Sequence, residues 1–378
     1  MNNTKQIYLD YQATTPVARE VVDAMFPYFT ENFGNPHSTQ HEMGRKSNAA
    51  IENAREQVAK LINAEPHEIV FTSGATESNN LAIKSITKNY FDKNVQIITC
   101  VTEHKCILES CHSLEKEGYD VKYLKINQDG FINLEELENL LKQKKSLVSI
   151  MHVNNEIGII QPIEQIGLMC NHYESVFHTD AAQTFSCLSI DVKAQNIDAL
   201  SLSAHKFYGP KGIGALYIKS SIKYTLRPIL DGGGQEQGIR SGTVPTPLVV
   251  GLGKASELAI KNHIQRFDHH IKLQRYFLNQ LKEHNIEYDL NGSFEKRTPM
   301  NLNIALKNKS ADEIIMGQNL FAISSGSACT TGNIEKSHVI AALNKRLDNL
   351  NNSFRISFGI NTTHQEIDEF IGFIKQFK

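Results

Sequence analysis

The chain has 378 residues, with 39 Lys and Arg against 41 Asp and Glu, so its formal net charge of −2 gives no general attraction to nucleic acid or to an anionic membrane. Because 40% of the residues are hydrophobic and 21% are charged, the composition excludes a disordered chain, and the length is enough for two or three domains. No apolar run approaches the length of a membrane span, and no basic segment followed by an apolar one opens the chain. We therefore expect a soluble cytoplasmic protein that binds neither a membrane nor nucleic acid directly.

Short apolar runs rich in β-branched residues alternate with helical patterns along the first two thirds of the chain. The helical patterns include residues 77–91 and 133–143. Such alternation predicts a mainly parallel sheet that is covered on both faces, and ligands of such sheets bind beyond the carboxyl ends of the strands. The predicted strands are 68–72, 95–100, 121–126, 147–153, 176–179, 198–203 and 214–218.

After about residue 250 the pattern changes to one long helical stretch, residues 248–284, followed by a smaller mixed segment. We expect the long helix to connect the main sheet to a second, smaller α/β domain. The usual dinucleotide-binding glycine motif, the phosphate-binding P-loop and the H-E-x-x-H zinc motif are all absent from the sequence.

A turn of small residues, Ser73-Gly74-Ala75-Thr76, follows the first strong strand, and a helix is predicted to open near Glu77. Small residues let backbone N–H groups approach an anion, and the helix start adds a partial positive charge. The segment therefore suits a phosphate group, with Ala75 and Thr76 as contacts. The same residues would also be found in an ordinary capped turn between a strand and a helix.

Two further strands end in polar residues. Asp180 ends the apolar run 176–179, where a carboxylate is poorly matched to its surroundings unless it has a cationic partner, and Gln183 follows three residues later. Asp180 could also be a simple helix cap. Lys206 follows the run 198–203, close to Ser203 and ahead of a turn rich in Gly and Pro. Alone it would be read as a solvated loop lysine.

Together, a lysine, an aspartate on a neighbouring strand and a phosphate-ready turn fit a pyridoxal phosphate site. In this interpretation the amine of Lys206 forms a Schiff base with the cofactor. Asp180 pairs with the protonated pyridine nitrogen, and the helix start at Thr76 holds the phosphate.

Ten motifs in the same order resemble the aminotransferase class-V branch of fold-type-I pyridoxal phosphate enzymes, and within it the cysteine desulfurases of the housekeeping iron–sulfur assembly type. The resemblance covers nearly the whole chain, and the joint match is much more specific than any single motif. The motifs are LDYQATTP (9–16), FGNPHS (33–38), FTSGATESNN (71–80), TEHK (102–105), MHVNNEIG (151–158), HTDAAQ (178–183), SAHKFYGPKGIGALY (203–217), GGGQEQGIRSGT (232–243), SSGSACT (324–330) and FRISFG (354–359).

The resemblance implies an α/β fold-type-I transferase whose large domain holds a mainly parallel seven-stranded sheet beside a smaller C-terminal α/β domain. The large domain is expected over residues 15–257. The small domain is expected over residues 1–14 and 258–378, and it carries the loop with the catalytic cysteine.

The resemblance also implies roles for individual residues. Lys206 corresponds to the Schiff-base lysine, and His104 to the histidine that stacks on the cofactor ring and handles protons, although a lone loop histidine is more often a surface group. Arg355 corresponds to the clamp for the substrate carboxylate, a task that suits a guanidinium group. The cofactor contacts implied by the resemblance are Thr76, Ser203 and His205 at the phosphate, and Asn155 and Gln183 at the ring and its phenolic oxygen, with Asn155 also near the substrate.

Thr243 resembles the residue that a neighbouring subunit donates to the cofactor phosphate, which implies a homodimer with shared sites. Cys329 lies in a run of small polar residues that suits an exposed loop, and by the resemblance it is the nucleophile. Without the resemblance it would be an incidental surface cysteine. The other five cysteines stand in apolar contexts and are predicted to be packing residues.

The implied reaction is a cysteine desulfurase reaction: L-cysteine gives L-alanine, and its sulfur becomes a persulfide on Cys329 that is passed to an acceptor or scaffold protein for iron–sulfur assembly and, as a further option, tRNA thiolation.

Gln237 and Asn361 stand where the family commonly has arginine, residues 217–228 are less basic than usual, and the sequence ends at Lys378, short of the tail of close relatives. We therefore expect a reduced or different set of acceptors. The alternatives are another class-V enzyme, such as a selenocysteine lyase or an aminotransferase, and an inactive regulatory paralogue.

Overall fold

Strands and helices alternate along the chain much as the sequence predicts. The computed structural model describes residues 6–91, 93–307, 309–316, 318–325, 336–343 and 347–377. Within these ranges the strands are β1 (Ile7–Tyr8), β2 (Ile69–Thr72), β3 (Gln96–Cys100), β4 (Asp120–Leu124), β5 (Ser146–Ser149), β6 (Val176–Asp180), β7 (Ala199–Ser203), β8 (Gly214–Ile218), β9 (Tyr288–Leu290), β10 (Asn301–Leu306), β11 (Phe321–Ala322) and β12 (Ser353–Ser357). The α-helices are α1 (Arg19–Met25), α2 (Pro27–Thr30), α3 (Glu42–Ile62), α4 (Ala75–Asn89), α5 (Lys105–Lys116), α6 (Leu134–Gln143), α7 (Ile163–His172), α8 (Ser220–Lys223), α9 (Thr246–Glu283), α10 (Ala311–Met316), α11 (His338–Ala342), α12 (Leu347–Asn352) and α13 (His364–Ile374).

All seven predicted strands form one seven-stranded sheet with the order β2-β8-β7-β6-β5-β3-β4. Strand β8 is antiparallel to both of its neighbours, β2 and β7, whereas the remaining pairs are parallel. Six strands therefore point the same way and end at the same edge. The predicted α/β class with a mainly parallel seven-stranded sheet is confirmed.

Helices cover both faces of this sheet, because successive side chains of a strand point to opposite sides. In β2, Ile69 and Phe71 join a large apolar cluster with residues of α3 and of the first half of α9. Between them, Val70 points to the other face and packs with Leu81 and Ile86 of α4. Strands buried on both faces read as continuous apolar runs, which explains why the sequence shows them so clearly.

A second, smaller layer lies beyond the long helix. The strands β12, β10 and β9 form an antiparallel sheet, and β1 pairs in parallel with β11. Helix α9 runs unbroken for 38 residues; its first half packs on the main sheet through Val249 and Leu252, and its second half packs on the small sheet through Leu273 and Phe277. The predicted division at 257/258 falls inside this helix and stays a prediction.

Several boundaries differ from the sequence interpretation by one or two residues, and the end of β5 differs by four. Helix α4 begins at Ala75, two residues before the predicted start at Glu77, and β5 ends at Ser149 although its apolar run continues to Val153. In that continuation the backbone N–H groups of Ile150 and His152 still donate to carbonyl oxygens of β6, but the residues lie outside the regular strand. In the described part of the chain, every helix is too short or too polar for a bilayer crossing.

Candidate active site

A cavity of about 930 Å³ opens at the carboxyl edge of the main sheet. The ends of β6 and β7, the start of α4 and α5, and Arg355 of β12 all contribute to its wall. Ten of the residues singled out in the sequence line it together: Ala75, Thr76, His104, Asn155, Asp180, Gln183, Ser203, His205, Lys206 and Arg355. The convergence of strand ends at one edge is what brings these distant positions into one site.

Lys206 lies in a short 3₁₀ turn, Ala204–Lys206, that directly follows β7. Its Nζ donates to the backbone carbonyls of Gln12 and Ala13, at 2.7 and 2.9 Å. The side chain of Gln183 donates to the same Gln12 carbonyl at 3.0 Å. The amine is therefore held inside the cavity by neutral acceptors of the N-terminal segment rather than solvated as a loop lysine.

Asp180, the last residue of β6, is buried, with 6% of its surface exposed. Its carboxylate accepts hydrogen bonds from Asn79 Nδ2 at 2.6 Å and from the backbone N–H of Ala182 at 2.9 Å. Among the described residues no Lys or Arg forms an ion pair with it. A buried carboxylate in this state suits a cationic ligand group, such as a protonated pyridine nitrogen.

His104 caps the start of α5, and its Nδ1 accepts the backbone N–H of Cys106 at 3.2 Å. Burial is the main cause that lowers the pKa of His104, with Lys206 adding to the effect and Asp180 opposing it. A neutral ring whose Nδ1 is an acceptor carries its proton on Nε2. His104 can therefore offer an N–H donor from Nε2.

Cys106 packs against an apolar cluster, as predicted, but it also lines the cavity, which the sequence does not predict. Cys100, Cys111, Cys170 and Cys187 are buried, as expected for packing residues, but Cys106 is only partly buried and lines the cavity. Its Sγ lies 3.0 Å from His104 Nδ1 and 3.2 Å from Asn79 Nδ2. Burial, together with the nearby carboxylate of Asp180, raises the pKa of Cys106 to about 12, so it stays a protonated thiol.

The turn before α4 forms an open cradle. Gly74 is the N-cap residue at a φ of 147°, a conformation that other residues rarely adopt, and the helix start has no side-chain cap. A Cβ atom on Gly74 would lie 3.7 Å from Ser203 Oγ, so the end of β7 faces this turn. His205 lines the same cavity, and burial lowers the pKa of this imidazole to about 4, which leaves it neutral. Uncapped backbone N–H groups with hydroxyl and imidazole groups around them suit a phosphate.

Arg355 of β12 closes the far wall of the cavity, with a side chain that is 4% exposed. Its Nη1 donates to the carbonyl of Asn155 at 2.5 Å, and its Nη2 donates to Asp10 at 2.6 Å. A guanidinium group in the same cavity as Lys206 suits the carboxylate of an amino acid. The donors and acceptors that line the cavity therefore fit pyridoxal phosphate together with an amino-acid substrate.

Two predicted site residues are not among these. Thr243 is exposed and does not line the cavity, although Arg240, three residues earlier, pairs at 2.9 Å with Glu77 at its rim. Cys329 lies outside the described residues. The segment that contains it is flanked by Ser324, whose backbone pairs with Arg355, and by Lys336, which lines the cavity.

The residues that support the predicted ones are not predicted from the sequence. Asn79 follows Thr76 by three positions on α4, so helical periodicity places it on the same side of the helix and could have marked it. Asp10 and Gln12 stand in the motif LDYQATTP, but nothing in their local pattern indicates that they contact Arg355 and Lys206.

Comparison with known proteins agrees with this geometry. The profile of the aminotransferase class-V family matches residues 7–370. A cysteine desulfurase IscS from Ehrlichia chaffeensis (strain ATCC CRL-10679 / Arkansas) is 50% identical over 362 residues, which cover 96% of this chain and 88% of that protein. Among solved structures, a NifS-like protein has a TM-score of 0.91 at 34% identity, covering 98% of this chain and 99% of that chain.

A structure described as SspA in complex with cysteine has a TM-score of 0.82 at 39% identity, covering 94% of this chain and all of that chain. The family profile spans nearly the whole chain, and the identities to relatives of similar length are far above the level of chance resemblance. The chain therefore belongs to the aminotransferase class-V family, among its cysteine desulfurases.

Proposed function

We propose that this protein is a pyridoxal phosphate-dependent cysteine desulfurase that converts L-cysteine to L-alanine and transfers the sulfur to Cys329. The observation that carries the proposal is the placement of Lys206, the buried Asp180 and Arg355 on the walls of one cavity. The close relatives named as cysteine desulfurases support it, and so does the related structure in complex with cysteine.

The cofactor would be held by Asp180 at its ring nitrogen and by the cradle of Gly74, Thr76 and Ser203 at its phosphate. When bound, pyridoxal phosphate supplies an electron sink that weakens the bonds at the carbon atoms of an attached amino acid. Arg355 binds the carboxylate of the substrate. The amine of Lys206, which lies in the same cavity, takes the α-proton.

His104 contributes the proton on Nε2. The tautomer described above directs the donor nitrogen away from α5, and burial lowers the pKa of the ring and so favours its neutral form. A neutral Nε2–H group can stabilise a developing negative charge or supply the proton that the departing alanine needs at its β-carbon. Both tasks agree with the role that the sequence resemblance gives to His104.

The sulfur is transferred to a thiolate of the enzyme. The C–S bond of L-cysteine breaks, an S–S bond to Cys329 forms, and the carbon that keeps the electron pair takes up a proton, so that alanine and a persulfide result. Burial raises the pKa of every cysteine in the described part of the chain. Since a thiolate is needed, these five thiols are unsuited to the reaction, which supports Cys329 as the nucleophile.

Covalent geometry makes this assignment possible. Cys329 is four residues beyond Ser325, so an extended chain would span at most about 14 Å between them. The backbone of Ser324 pairs with that of Arg355 at the cavity wall. A cysteine tethered there is within reach of a substrate bound at Arg355.

We further propose that the protein is a cytoplasmic homodimer in which Thr243 of one subunit serves the cavity of the other. Thr243 is exposed and lies outside its own cavity, while Arg240 anchors the segment beside the rim. Large exposed aromatic side chains between α1 and α2, on α2 and in the loop after it provide apolar surface for such an interface. These are Phe26, Phe29 and Phe33, which are 62%, 56% and 65% exposed.

The sulfur acceptor is proposed to be an iron–sulfur scaffold or a tRNA-thiolation protein, from a reduced or different set. Gln237 and Asn361, which stand where the family commonly has arginine, are both exposed and do not line the cavity. Their effect is therefore expected on partner binding and not on the conversion of cysteine. Tight complex formation with a standard iron–sulfur scaffold protein would contradict this expectation.

The deciding experiment is alanine formation from L-cysteine by the purified protein with pyridoxal phosphate and a thiol reductant. The wild type is expected to form alanine, and Cys329→Ser is expected to bind the cofactor but form none. Cys111→Ala, which removes a buried thiol of α5 away from the cavity, is the control and should retain activity. Alanine formation that persists in Cys329→Ser would indicate a different class-V lyase, and a protein that never takes up the cofactor would indicate an inactive paralogue.

A further inference from the structure

The guanidinium of Arg355 is paired with a carboxylate of the protein itself. Its Nη2 lies 2.6 Å from Oδ1 of Asp10, and both side chains are largely buried, with 4% and 15% of their surface exposed. Arg355 and Asn155 line the cavity, whereas Asp10 does not. Asp10 therefore lies behind the arginine, on the side away from the substrate.

The position of Asp10 is fixed by backbone pairing on both sides. Asp10 forms a parallel bridge with Ser357, two residues after Arg355 on the same strand, and Ser357 donates its N–H to the Leu9 carbonyl at 2.8 Å. Leu9 in turn donates to Ala322 at 2.9 Å. The backbone of Asp10 is therefore held beside β12, and its carboxylate lies within hydrogen-bond distance of Arg355.

The hydrogen bonds of Arg355 leave part of the guanidinium group available. A guanidinium carries five N–H donors in a planar fork, and Asp10 and Asn155 each accept from one terminal nitrogen. Each terminal nitrogen keeps a second N–H, enough for a two-point contact with a carboxylate. Two acceptors at fixed places also determine the plane in which that contact can form.

We propose that Asp10 is the positioning residue of the substrate-carboxylate clamp: it holds Arg355 in the orientation that selects amino acids carrying an α-carboxylate. The inference rests on the proposed function, since it takes the ligand of the cavity to be an α-amino acid. Asp10 also gives the buried guanidinium a counter-charge when no substrate is bound. A buried cation without such a partner would lower the stability of the fold strongly.

The test compares amino compounds with and without a carboxylate on the cofactor-loaded enzyme. In Asp10→Ala, the KM for L-cysteine and the Kd for L-alanine, followed by the absorbance of the cofactor, are each expected to rise about tenfold or more. The kcat should change by less than about twofold, because the clamp binds ground state and transition state alike. The Kd for cysteamine, which has no carboxylate, should not change.

Two further variants separate positioning from general damage. Asp10→Asn keeps an oxygen that can accept from Nη2 and is expected to recover most of the affinity for L-alanine. Asp23→Ala removes an exposed ion pair on α1 and should leave every value unchanged. If Asp10→Ala does not fold, Asp10→Ser, which keeps a polar group but cannot reach the guanidinium, is measured in its place.

Three results would overturn the proposal. A lower KM for L-cysteine would mean that Asp10 competes with the substrate for Arg355, and an unchanged KM would mean that the orientation of the clamp does not depend on it. Equal weakening of L-alanine and cysteamine would mean a structural role. The L-alanine titration does not require turnover, so a wild type that binds L-alanine but forms none from L-cysteine would refute the proposed function while still testing Asp10.

Discussion

Asn79 offers the most direct test of how the cavity is built. Its side chain is fully buried, and Nδ2 donates at 2.6 Å to the carboxylate of Asp180, which is itself 6% exposed. A hydrogen bond to a charged, buried acceptor contributes about 1.5–3 kcal/mol, and its loss leaves the carboxylate with the Ala182 N–H as the one remaining donor among the described residues. We therefore expect Asn79→Ala to weaken pyridoxal phosphate binding by about tenfold, corresponding to about 1.4 kcal/mol, because Asp180 is no longer held towards the ring nitrogen.

The assay is a titration of the purified protein with pyridoxal phosphate, followed by the absorbance of the bound cofactor. A double-mutant cycle with Asp180→Ala isolates the contact: the coupling between the two changes should be at least about 1 kcal/mol, because Asn79 acts through Asp180. Asn80→Ala is the matched control, since the Asn80 side chain donates to the Thr76 carbonyl within the same helix and makes no bond to Asp180. Strictly additive effects of Asn79→Ala and Asp180→Ala would refute this reasoning.

Three further predictions concern the frame around the cavity. Burial lowers the pKa of His178 from 6.5 to about 3, so between these values the folded state binds fewer protons than the unfolded state. The free energy of unfolding therefore has its full value with respect to this group above pH 6.5 and decreases as the pH falls. In His178→Gln, the pH dependence of the free energy of unfolding, measured with urea, should be smaller by about 1.4 kcal/mol per pH unit. Glu236→Ala leaves Arg55 buried without its 2.8 Å partner and should lower the free energy of unfolding by about 3–5 kcal/mol, against at most about 1 kcal/mol for the exposed ion pair removed in Glu65→Ala. Gly214→Ala places a Cβ 2.4 Å from a carbonyl oxygen of β7 and against the turn that begins α4, so we expect reduced cofactor loading, measured by absorbance, and a loss of about 1–3 kcal/mol in urea unfolding.

The sequence predicts best those strands whose two faces both pack against apolar residues. Six of the seven strands of the main sheet are buried along their whole length, whereas β4, at the edge, is fully buried only at Leu124; all seven predicted runs are found as strands. The antiparallel direction of β8 is not visible in such a run, because a strand buried on both faces looks the same in either direction. The strand predicted over 147–153 extends beyond the observed end of β5 at Ser149 for a related reason. Ile150 and Val153 are buried, but in the turn towards the cavity and not in the sheet.

The site residues likewise divide into those that a local sequence pattern predicts and those that it does not. Those proposed to contact the cofactor or substrate belong to local motifs, such as the turn at Gly74 or the lysine after β7, and these motifs can be read without a structure. Their supporting partners are distant in sequence: Asn79 is 101 residues from Asp180, and Asp10 is 345 residues from Arg355. No local pattern carries information about such contacts, since they depend on which strands become neighbours in the fold.

Gln12 shows how these supports join the two parts of the site. Its backbone carbonyl accepts from Lys206, its backbone N–H donates to Ser357 Oγ on β12, and its side-chain oxygen accepts from Asn301 on β10. The segment that holds the amine of Lys206 is thus connected to the strand that carries Arg355. Lys206 follows the main sheet and Arg355 belongs to the small sheet, and this N-terminal segment is one of the hydrogen-bonded connections between them, beside the bond from Arg355 to the Asn155 carbonyl. Because of that connection, the motif LDYQATTP, which forms little regular structure of its own, contributes to the placement of the two groups that are proposed to act on one amino acid.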